Sequence, residues 1–359
     1  AATACTGPIR FAITTPTTSA LALLGLQARN GEQFAVDELN EAGGIAGQRV
    51  ELVVEDTAAS TATALSAVNR VLEGNPLVLF GSNISPQVFT QTEAVKKAGV
   101  PFIVSATNAE ITNQATPWLF RIHAHDGQLA DLVPRHLVQT MGAKKPGIIA
   151  VADDYGLGAS RGMQATLTAL GAPAVSATSY APTDRDMSAQ LLEIQARGAD
   201  SFIVFGRPGD VALVLKQAKS LGIDMPRIGN ASMVAQTTLN NLTAAEADGA
   251  VAVGGMIPQT STDPKIKAWA AAVERKFKVP ADNFTVAYYD AVQLLRDIIP
   301  RVGCDRAAIR DALAATKDWP GMLIRYTADG RGDLAHTLGI YRNKGKTPEL
   351  TGPIQERGF

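Results

Sequence analysis

Short apolar runs alternate with longer amphipathic stretches along the first third of the chain. Runs rich in β-branched and aromatic residues predict strands at residues 9–13, 50–54, 77–80 and 100–104. Between them, apolar residues recur at helical spacing and predict helices at 31–41, after Ser60 or Thr61, and at 87–98. Because parallel strands need crossover connections, this order predicts a parallel sheet with helices on both faces.

The same alternation restarts after residue 121. Strands are predicted at 147–151, 174–180, 201–205 and 227–229, and helices at 128–141, 157–170, 187–196 and 211–221. Two further helices, at 265–277 and 284–300, precede a strand–turn–strand in which Asp329-Gly330 joins 323–326 to 338–341. These helices have no sheet of their own, so they must cover an earlier one. The pattern predicts an α/β protein of two doubly wound parallel-sheet lobes.

Length and charge narrow the class of protein. A chain of 359 residues exceeds the size at which one core usually keeps growing, which favours two domains. A net charge of −1, with no basic cluster longer than Lys144-Lys145, argues against a nucleic-acid partner. No apolar run approaches the roughly 18 residues that cross a bilayer. Residues 1–6 are small and polar, which is typical of a chain after signal-peptide cleavage and favours an exported protein.

The two cysteines, Cys5 and Cys304, stand far apart in the sequence. In an oxidising compartment they are able to form one disulfide that ties the N-terminus to a late helix. The alternative is two unrelated thiols. Since the Cα separation decides between these alternatives, the sequence leaves both open.

Signatures of catalysis fail when their spacing is checked. The glycine-rich run at 156–162 follows a strand, but its third glycine comes one residue late for a dinucleotide fingerprint, and the next strand carries no ribose-binding acid. His123, His125 and Asp126 lie close together but lack the further ligands of a closed metal site. There is no Gly-x-Ser-x-Gly elbow. The sequence therefore predicts no enzyme, cofactor or metal.

Four segments rich in small polar residues follow predicted strands, at 82–86, 105–108, 153–156 and 230–232. In open parallel sheets, ligands bind beyond the carboxyl ends of the strands, so these segments are candidate ligand contacts. Ser85 also precedes a helix, whose N-terminal N–H groups attract an anion such as a carboxylate. The alternatives are that Ser85 is only a helix cap and that Asp153 and Asp154 lie in a solvated loop.

A motif near the start of the chain carries a family resemblance. The run from Gly31 to Gly47, which contains a Gly-Gly-Ile turn, and the acid-ended strand that follows resemble the signature of the periplasmic branched-chain amino-acid binding proteins, the type I solute-binding proteins of ABC transporters. Further matches include Arg121 and residues 329–334 and cover nearly the whole chain. The resemblance implies two lobes joined by three crossovers, residues 1–121 plus 256–328 and residues 122–255 plus 329–359, with the ligand between them.

The resemblance also assigns roles to single residues. Ser85 matches a serine that binds the ligand carboxylate, and Ala106 matches a position whose backbone carbonyl meets the ligand ammonium. Asn108 stands where the family often has threonine. Tyr155 matches a tyrosine of the second lobe, and Phe284 matches an aromatic residue that touches the ligand side chain.

Four further residues complete the candidate site: Ser105 and His123, which follow strands of the first lobe, and Arg207 and Asn230 of the second. Family members that bind amino acids hold the ammonium with a second-lobe acid, but residues 229–233 contain none. A buried ammonium without a carboxylate partner is poorly compensated. Arg207, in contrast, suits a carboxylate. We therefore expect a carboxylate without an α-ammonium, such as an aromatic or 2-oxo acid, more than a branched-chain or hydrophobic amino acid.

The resemblance implies a function for the whole chain. It is that of a monomeric, exported solute-binding protein, which works in the periplasm with an ABC-transporter permease and closes its lobes on the ligand. The alternative is a sensor module of the same fold that controls a regulatory partner.

Overall fold

The computed structural model describes residues 3–356 and 358–359 and divides the chain into two compact units. Unit 1 comprises the residues up to His125, Met256–His336 and Phe359, and unit 2 comprises Asp126–Gly255 and Thr337–Gly358. The sequence places the lobe boundaries at 121, 255 and 328. The structure moves the first to 125 and the third to 336, because Leu334 and Ala335 are buried in the core of unit 1. The chain crosses between the units three times before its last residue.

Fourteen strands are found in the described part of the chain. In chain order they are β1 (Ile9–Thr15), β2 (Val50–Asp56), β3 (Val78–Phe80), β4 (Phe102–Val104), β5 (Leu119–Arg121), β6 (Pro146–Val151), β7 (Ser176–Tyr180), β8 (Ser201–Phe205), β9 (Arg227–Gly229), β10 (Val251–Gly254), β11 (Trp319–Pro320), β12 (Arg325–Tyr326), β13 (Thr337–Lys344) and β14 (Thr347–Gln355).

Twelve α-helices lie between the strands of this same described region. They are α1 (Ala22–Glu41), α2 (Thr61–Glu73), α3 (Ser85–Ala98), α4 (Asp126–Arg135), α5 (Asp154–Ala169), α6 (Ser188–Ala196), α7 (Pro208–Ser220), α8 (Gln236–Leu239), α9 (Ala244–Ala247), α10 (Pro264–Phe277), α11 (Asn283–Val302) and α12 (Arg306–Ala314). The end of α4 continues as a π-helical turn, His136–Thr140. None of the helices is long and apolar enough to span a membrane.

Unit 1 is built on a five-stranded sheet in the order β2-β1-β3-β4-β5, in which every pairing is parallel. Its core includes Phe11 and Phe80 from the sheet together with Tyr288 and Ile298 of α11. Helix α11 therefore covers the first sheet, as the sequence predicts, whereas α10 packs through Trp269 and Val273 in a separate cluster with Val286 of α11. The parallel strands with intervening helices confirm the α/β class.

Helix α1 begins at Ala22, although the sequence predicts a start at Gly31. The two glycines of its first half suggest a break in the helix, but the structure uses them for close packing. A Cβ at Gly31 would lie 2.1 Å from the Thr285 carbonyl oxygen of α11, and one at Gly25 would lie 1.8 Å from that of Pro16. These glycines are needed because another backbone passes close to the helix, not because the helix ends.

Unit 2 contains a seven-stranded sheet in the order β14-β13-β10-β9-β8-β6-β7. The pairings from β10 to β7 are parallel, whereas β13 and β14 are antiparallel. The predicted turn at Asp329 is present: Asp329 accepts the backbone N–H groups of residues 331–333, and Tyr326 and Ala335 form an antiparallel bridge across the turn. The strands beyond this bridge do not pair with each other, because β13 pairs with β10 and β14, and β12 pairs with β11.

The two cysteines form a disulfide within unit 1. Cys5 and Cys304 have a Cα separation of 5.0 Å and are 299 residues apart in sequence. The Cys304 N–H also donates to the Thr3 carbonyl at 2.8 Å. The segment before β1 is thus fixed to the connection between α11 and α12.

Candidate functional site

In unit 1, the loops that follow β3 and β4 meet at the carboxyl edge of the sheet. The Ser85 hydroxyl oxygen accepts the backbone N–H of Asn108 at 3.2 Å, and Ser85 is half-buried. Ser85 is the first residue of α3 and not its cap, because Ile84 occupies the N-cap position. The Ile84 N–H donates to the hydroxyl of Ser82 at 3.0 Å. Ser85 therefore joins two loops at the edge where ligands bind in such sheets.

A buried arginine fixes the second of these loops. Arg121 has no exposed surface, and its Nη1 donates to the carbonyl oxygens of Ala106 at 3.1 Å and Asn108 at 2.6 Å. Its Nε donates to Asp333 Oδ1 at 2.6 Å. Thr112 links the ion pair further, because its hydroxyl accepts from Arg121 at 3.1 Å and donates to Asp333 at 2.9 Å. The loop before Asn108 is thus anchored to a segment more than 200 residues away.

This arginine changes what the loop offers to a ligand. Burial alone would raise the pKa of the Asp333 carboxyl, but the hydrogen bond and charge of Arg121 outweigh it and hold that pKa below its ordinary value. The pair is therefore ionised. The Ala106 carbonyl, which the resemblance assigns to a ligand ammonium, already accepts from the guanidinium. A second cation at this carbonyl would meet a positive charge directly behind it.

Ser105 makes its side-chain hydrogen bond inside the core of unit 1. It is fully buried, and its hydroxyl donates to the hydroxyl of Tyr288 at 3.1 Å. Tyr288 in turn donates to the carbonyl of Gly81, so the two hydroxyls connect β4, α11 and the end of β3. Its position after a strand suggested a ligand contact, but burial and partner indicate a structural role.

His123 forms a neutral aromatic pair with Phe284. Its Nε2 accepts from the side-chain amide of Asn283 at 2.6 Å, so Nδ1 carries the proton and donates to the Ala124 carbonyl at 2.8 Å. Burial lowers the pKa of His123 to about 4, in spite of the bond to Ala124, and the charge of Arg121 lowers it further. The imidazole stacks on the half-buried Phe284 with centroids 4.7 Å apart and an interplanar angle of 28°. Together the rings form a flat, uncharged surface.

In unit 2, Asn230 holds Tyr155 in place. One amide hydrogen of the buried Asn230 goes to the Tyr155 hydroxyl oxygen at 2.7 Å, and the other to the Gly206 carbonyl at 2.9 Å. Its Oδ1 accepts the backbone N–H of Ser232 at 3.2 Å. Every polar group of the side chain is therefore used within the protein. Asn230 thus fixes the Tyr155 hydroxyl relative to Gly206, and its contact with a ligand stays a prediction.

Arg207 is held next to Tyr155 by an acid. Its Nη2 lies 2.7 Å from Asp153 Oδ2, and its guanidinium lies 5.4 Å from the centre of the Tyr155 ring. Asp153 also caps α5 by accepting the Gly156 N–H at 3.0 Å. Asp153 thus takes part in an ion pair, whereas the sequence suggested a solvated loop. Tyr155 packs on Phe205 from its other side, with ring centroids 4.8 Å apart.

The described residues contain no group of three or more His, Cys, Asp or Glu side chains that could hold a metal ion. The polar groups described in each unit are hydroxyls, amides and an arginine paired with an aspartate. Such groups can bind a small polar or charged molecule by hydrogen bonds and charge.

Comparison with known proteins agrees with this description. The profile of the periplasmic binding protein family matches residues 8–347. The Leu/Ile/Val-binding protein BraC3 of Rhizobium johnstonii is 29% identical over 93% of this chain and 91% of its own length. An amino acid binding protein of Pseudomonas aeruginosa is 25% identical over 93% and 90%.

Solved structures share the fold. The branched-chain amino-acid binding protein LivJ of Streptococcus pneumoniae, in complex with isoleucine, is 25% identical and superposes with a TM-score of 0.87 over 97% of this chain and 100% of that one. A solute-binding protein from R. palustris in complex with benzoate, at 20% identity, has a TM-score of 0.82 over 98% of both chains. This chain therefore belongs to the periplasmic binding protein family.

Proposed function

We propose that this protein binds a small organic acid outside the cytoplasm and delivers it to an ABC-transporter permease. An aromatic or 2-oxo acid is favoured over a branched-chain or other hydrophobic amino acid. The location and the permease partner follow from the relatives, which are named as binding proteins for amino acids or as solute-binding proteins of transporters. Following the family resemblance, the ligand is held by both units, which close on it.

The observation that carries the carboxylate assignment is the hydrogen bond between Ser85 and Asn108. Because the Ser85 oxygen already accepts an N–H, its own proton is left to be donated. Ser85 also opens α3, a helix of 14 residues whose N-terminal N–H groups and dipole favour a negative charge. A donor hydroxyl beside a helix N-terminus matches a carboxylate and repels an ammonium.

The surroundings support an acid that lacks an α-ammonium. The carbonyls of Ala106 and Asn108, in the loop that contacts Ser85, already accept hydrogen bonds from Arg121. The aromatic pair of His123 and Phe284 offers a flat face on which an aromatic ring or an apolar chain packs well. A ligand with a carboxylate at one end and an apolar body satisfies both features.

The test is Ser85→Ala, measured by isothermal titration calorimetry. A thermal-shift panel first identifies the ligand among benzoate, phenylpyruvate, 4-methyl-2-oxopentanoate and leucine, since a tight ligand raises the melting temperature. Loss of a hydrogen bond to a charged group should weaken binding about 10- to 100-fold. The melting temperature of the free protein should change little.

The matched control is Ser66→Ala, which removes an exposed hydroxyl of α2 that bonds only to its own helix at Ala62. This variant should bind as the parent does. If Ser85→Ala bound the ligand as tightly as Ser66→Ala, the assignment of Ser85 to the carboxylate would be wrong.

A further inference from the structure

We infer that Asn230 is a specificity-determining positioning residue, which makes Tyr155 a hydrogen-bond donor so that unit 2 selects a ligand acceptor, such as the oxygen of a 2-oxo acid, and rejects an α-ammonium. This inference rests on the proposed function and adds to it the group beside the carboxylate.

The first step is the direction of the bond between Asn230 and Tyr155. The Asn230 amide must donate, because its Oδ1 is taken by the N–H of Ser232 and its second hydrogen by the Gly206 carbonyl. The Tyr155 oxygen therefore accepts. Exchange of O and N in the amide would place two oxygens, Asn230 Oδ1 and Gly206 O, against each other at 2.9 Å, which the chemistry excludes.

The second step is what remains of the Tyr155 hydroxyl. With its acceptor position filled, its proton has no acceptor among residues 3–356 and 358–359. Burial and the charge of Asp126 raise the pKa of Tyr155, so the phenol keeps that proton throughout the physiological range. The hydroxyl is thus a fixed donor, and a ligand group that meets it must be an acceptor.

The third step is that two acceptors beside Tyr155, the Gly206 carbonyl and the Asp153 carboxylate, already have partners. The Gly206 carbonyl receives both Asn230 and the Ser232 hydroxyl, each at 2.9 Å, which uses its two lone pairs. Asp153 is taken up by Arg207 and by the cap of α5. An ammonium brought to this cluster would face the proton of Tyr155 and the guanidinium of Arg207. The remaining rival is the carboxylate of Asp126, whose charge acts on Tyr155.

The direct test compares ligands that differ only at the 2-position. Three pairs share a carbon skeleton: pyruvate and alanine, 4-methyl-2-oxopentanoate and leucine, and phenylpyruvate and phenylalanine. We expect the 2-oxo acid of at least one pair to bind about tenfold or more tightly than its amino acid by calorimetry, because a donor is matched in one case and opposed in the other. Binding of none of the three 2-oxo acids, or tighter binding of the amino acid, overturns the inference.

Two variants test the residues. Asn230→Asp replaces the donating amide with a carboxylate, to which Tyr155 must then donate, so the preference for the 2-oxo acid should fall at least tenfold or reverse toward the amino acid. Asn240→Asp, with the same change at an exposed position of unit 2, should leave the preference unchanged. Tyr155→Phe removes the donated proton but keeps the ring, and it should reduce the preference even if Asn230→Asp fails to fold.

The ratio of the two affinities separates this role from a merely structural one, which would weaken both ligands alike. If the ratio of 2-oxo-acid to amino-acid affinity is unchanged in Tyr155→Phe, the inference is overturned. It is also overturned if Asp126→Asn loses amino-acid binding, because Asp126 would then be the partner of the ligand ammonium. The proposed function fails separately: it is lost if Ser85→Ala binds the ligand as tightly as the parent. Binding of benzoate that depends on Ser85, with no 2-oxo acid bound, would sink only the inference.

Discussion

Asp333→Asn should destabilise unit 1 strongly, because it leaves the buried guanidinium of Arg121 without a counter-charge. Arg121 is fully buried, and the two side chains are in direct contact at 2.6 Å. Removing one partner of such a pair costs about 3–5 kcal/mol. In domains of about 150–250 residues, the range in which unit 1 falls, each kcal/mol lowers the melting temperature by about 2–4 °C. The unfolding transition of unit 1 should therefore move down by about 6–20 °C in calorimetry.

An ion pair in the same turn supplies the control. Arg331 lies 3.5 Å from Asp329, but its side chain is 70% exposed. Exposed pairs contribute at most about 1 kcal/mol, so Arg331→Ala should shift the transition by only a few degrees. If Asp333→Asn shifted it no further than Arg331→Ala does, the argument from burial would be refuted.

A double variant separates stability from binding. Replacing Arg121 by Met together with Asp333 by Leu removes both buried charges, so the protein should be more stable than Asp333→Asn alone. The carbonyls of Ala106 and Asn108 then lose their donor, and the loop that contacts Ser85 loses its anchor. We therefore expect the double variant to bind the ligand more weakly than the parent in calorimetry, although its melting temperature is higher than that of Asp333→Asn.

Two other predictions concern unit 1. Reduction of the Cys5–Cys304 disulfide, which spans 299 residues, should lower the free energy of unfolding by about 2–5 kcal/mol. Thermal unfolding with and without reductant measures this, and an unchanged melting temperature would contradict it. As the pH falls from 6.5 to about 4, the unfolded chain binds a proton that buried His123 does not, so the contribution of His123 to stability should fall by about 3 kcal/mol. Buried Asp290, whose pKa is raised to about 7, acts in the opposite sense, so the quantity to measure is the stability difference between the parent and His123→Gln in urea unfolding. This difference should change by about 3 kcal/mol across the window, and parallel curves would contradict the assignment.

Most helices and the parallel strands β1–β4 and β6–β9 could be predicted from the sequence, because buried parallel strands are largely apolar. The short buried strands β5 and β10 were missed. The errors have physical causes. Gly25 and Gly31 resemble helix breakers but allow close packing, which depends on the distant residues Pro16 and Thr285. Strand β14 alternates polar and apolar positions at an edge and contains two prolines, so its pattern does not indicate a strand.

In the candidate site, too, some residues could be predicted from the sequence, whereas their contacts with distant residues could not. The family resemblance points to Ser85, Tyr155 and Phe284, and the sequence also names Asn108, Asn230 and His123, but it does not show the contacts that join these residues in pairs. The role of Asn230 depends on the bond to Tyr155, which is 75 residues away, and that of Arg121 on Asp333, which is 212 residues away. Hydrogen-bond direction depends on which atoms the fold brings together, and a single sequence does not carry that information.

Strand β14, at one edge of the unit 2 sheet, is poorly suited to pair with a further strand. Pro348 and Pro353 lie within β14, and a proline has no N–H with which to pair a strand from another molecule. Its pairing with β13 also shifts register between Ile340 and Tyr341, which twists the edge. Such an edge resists edge-to-edge pairing with the sheet of a second copy of the chain.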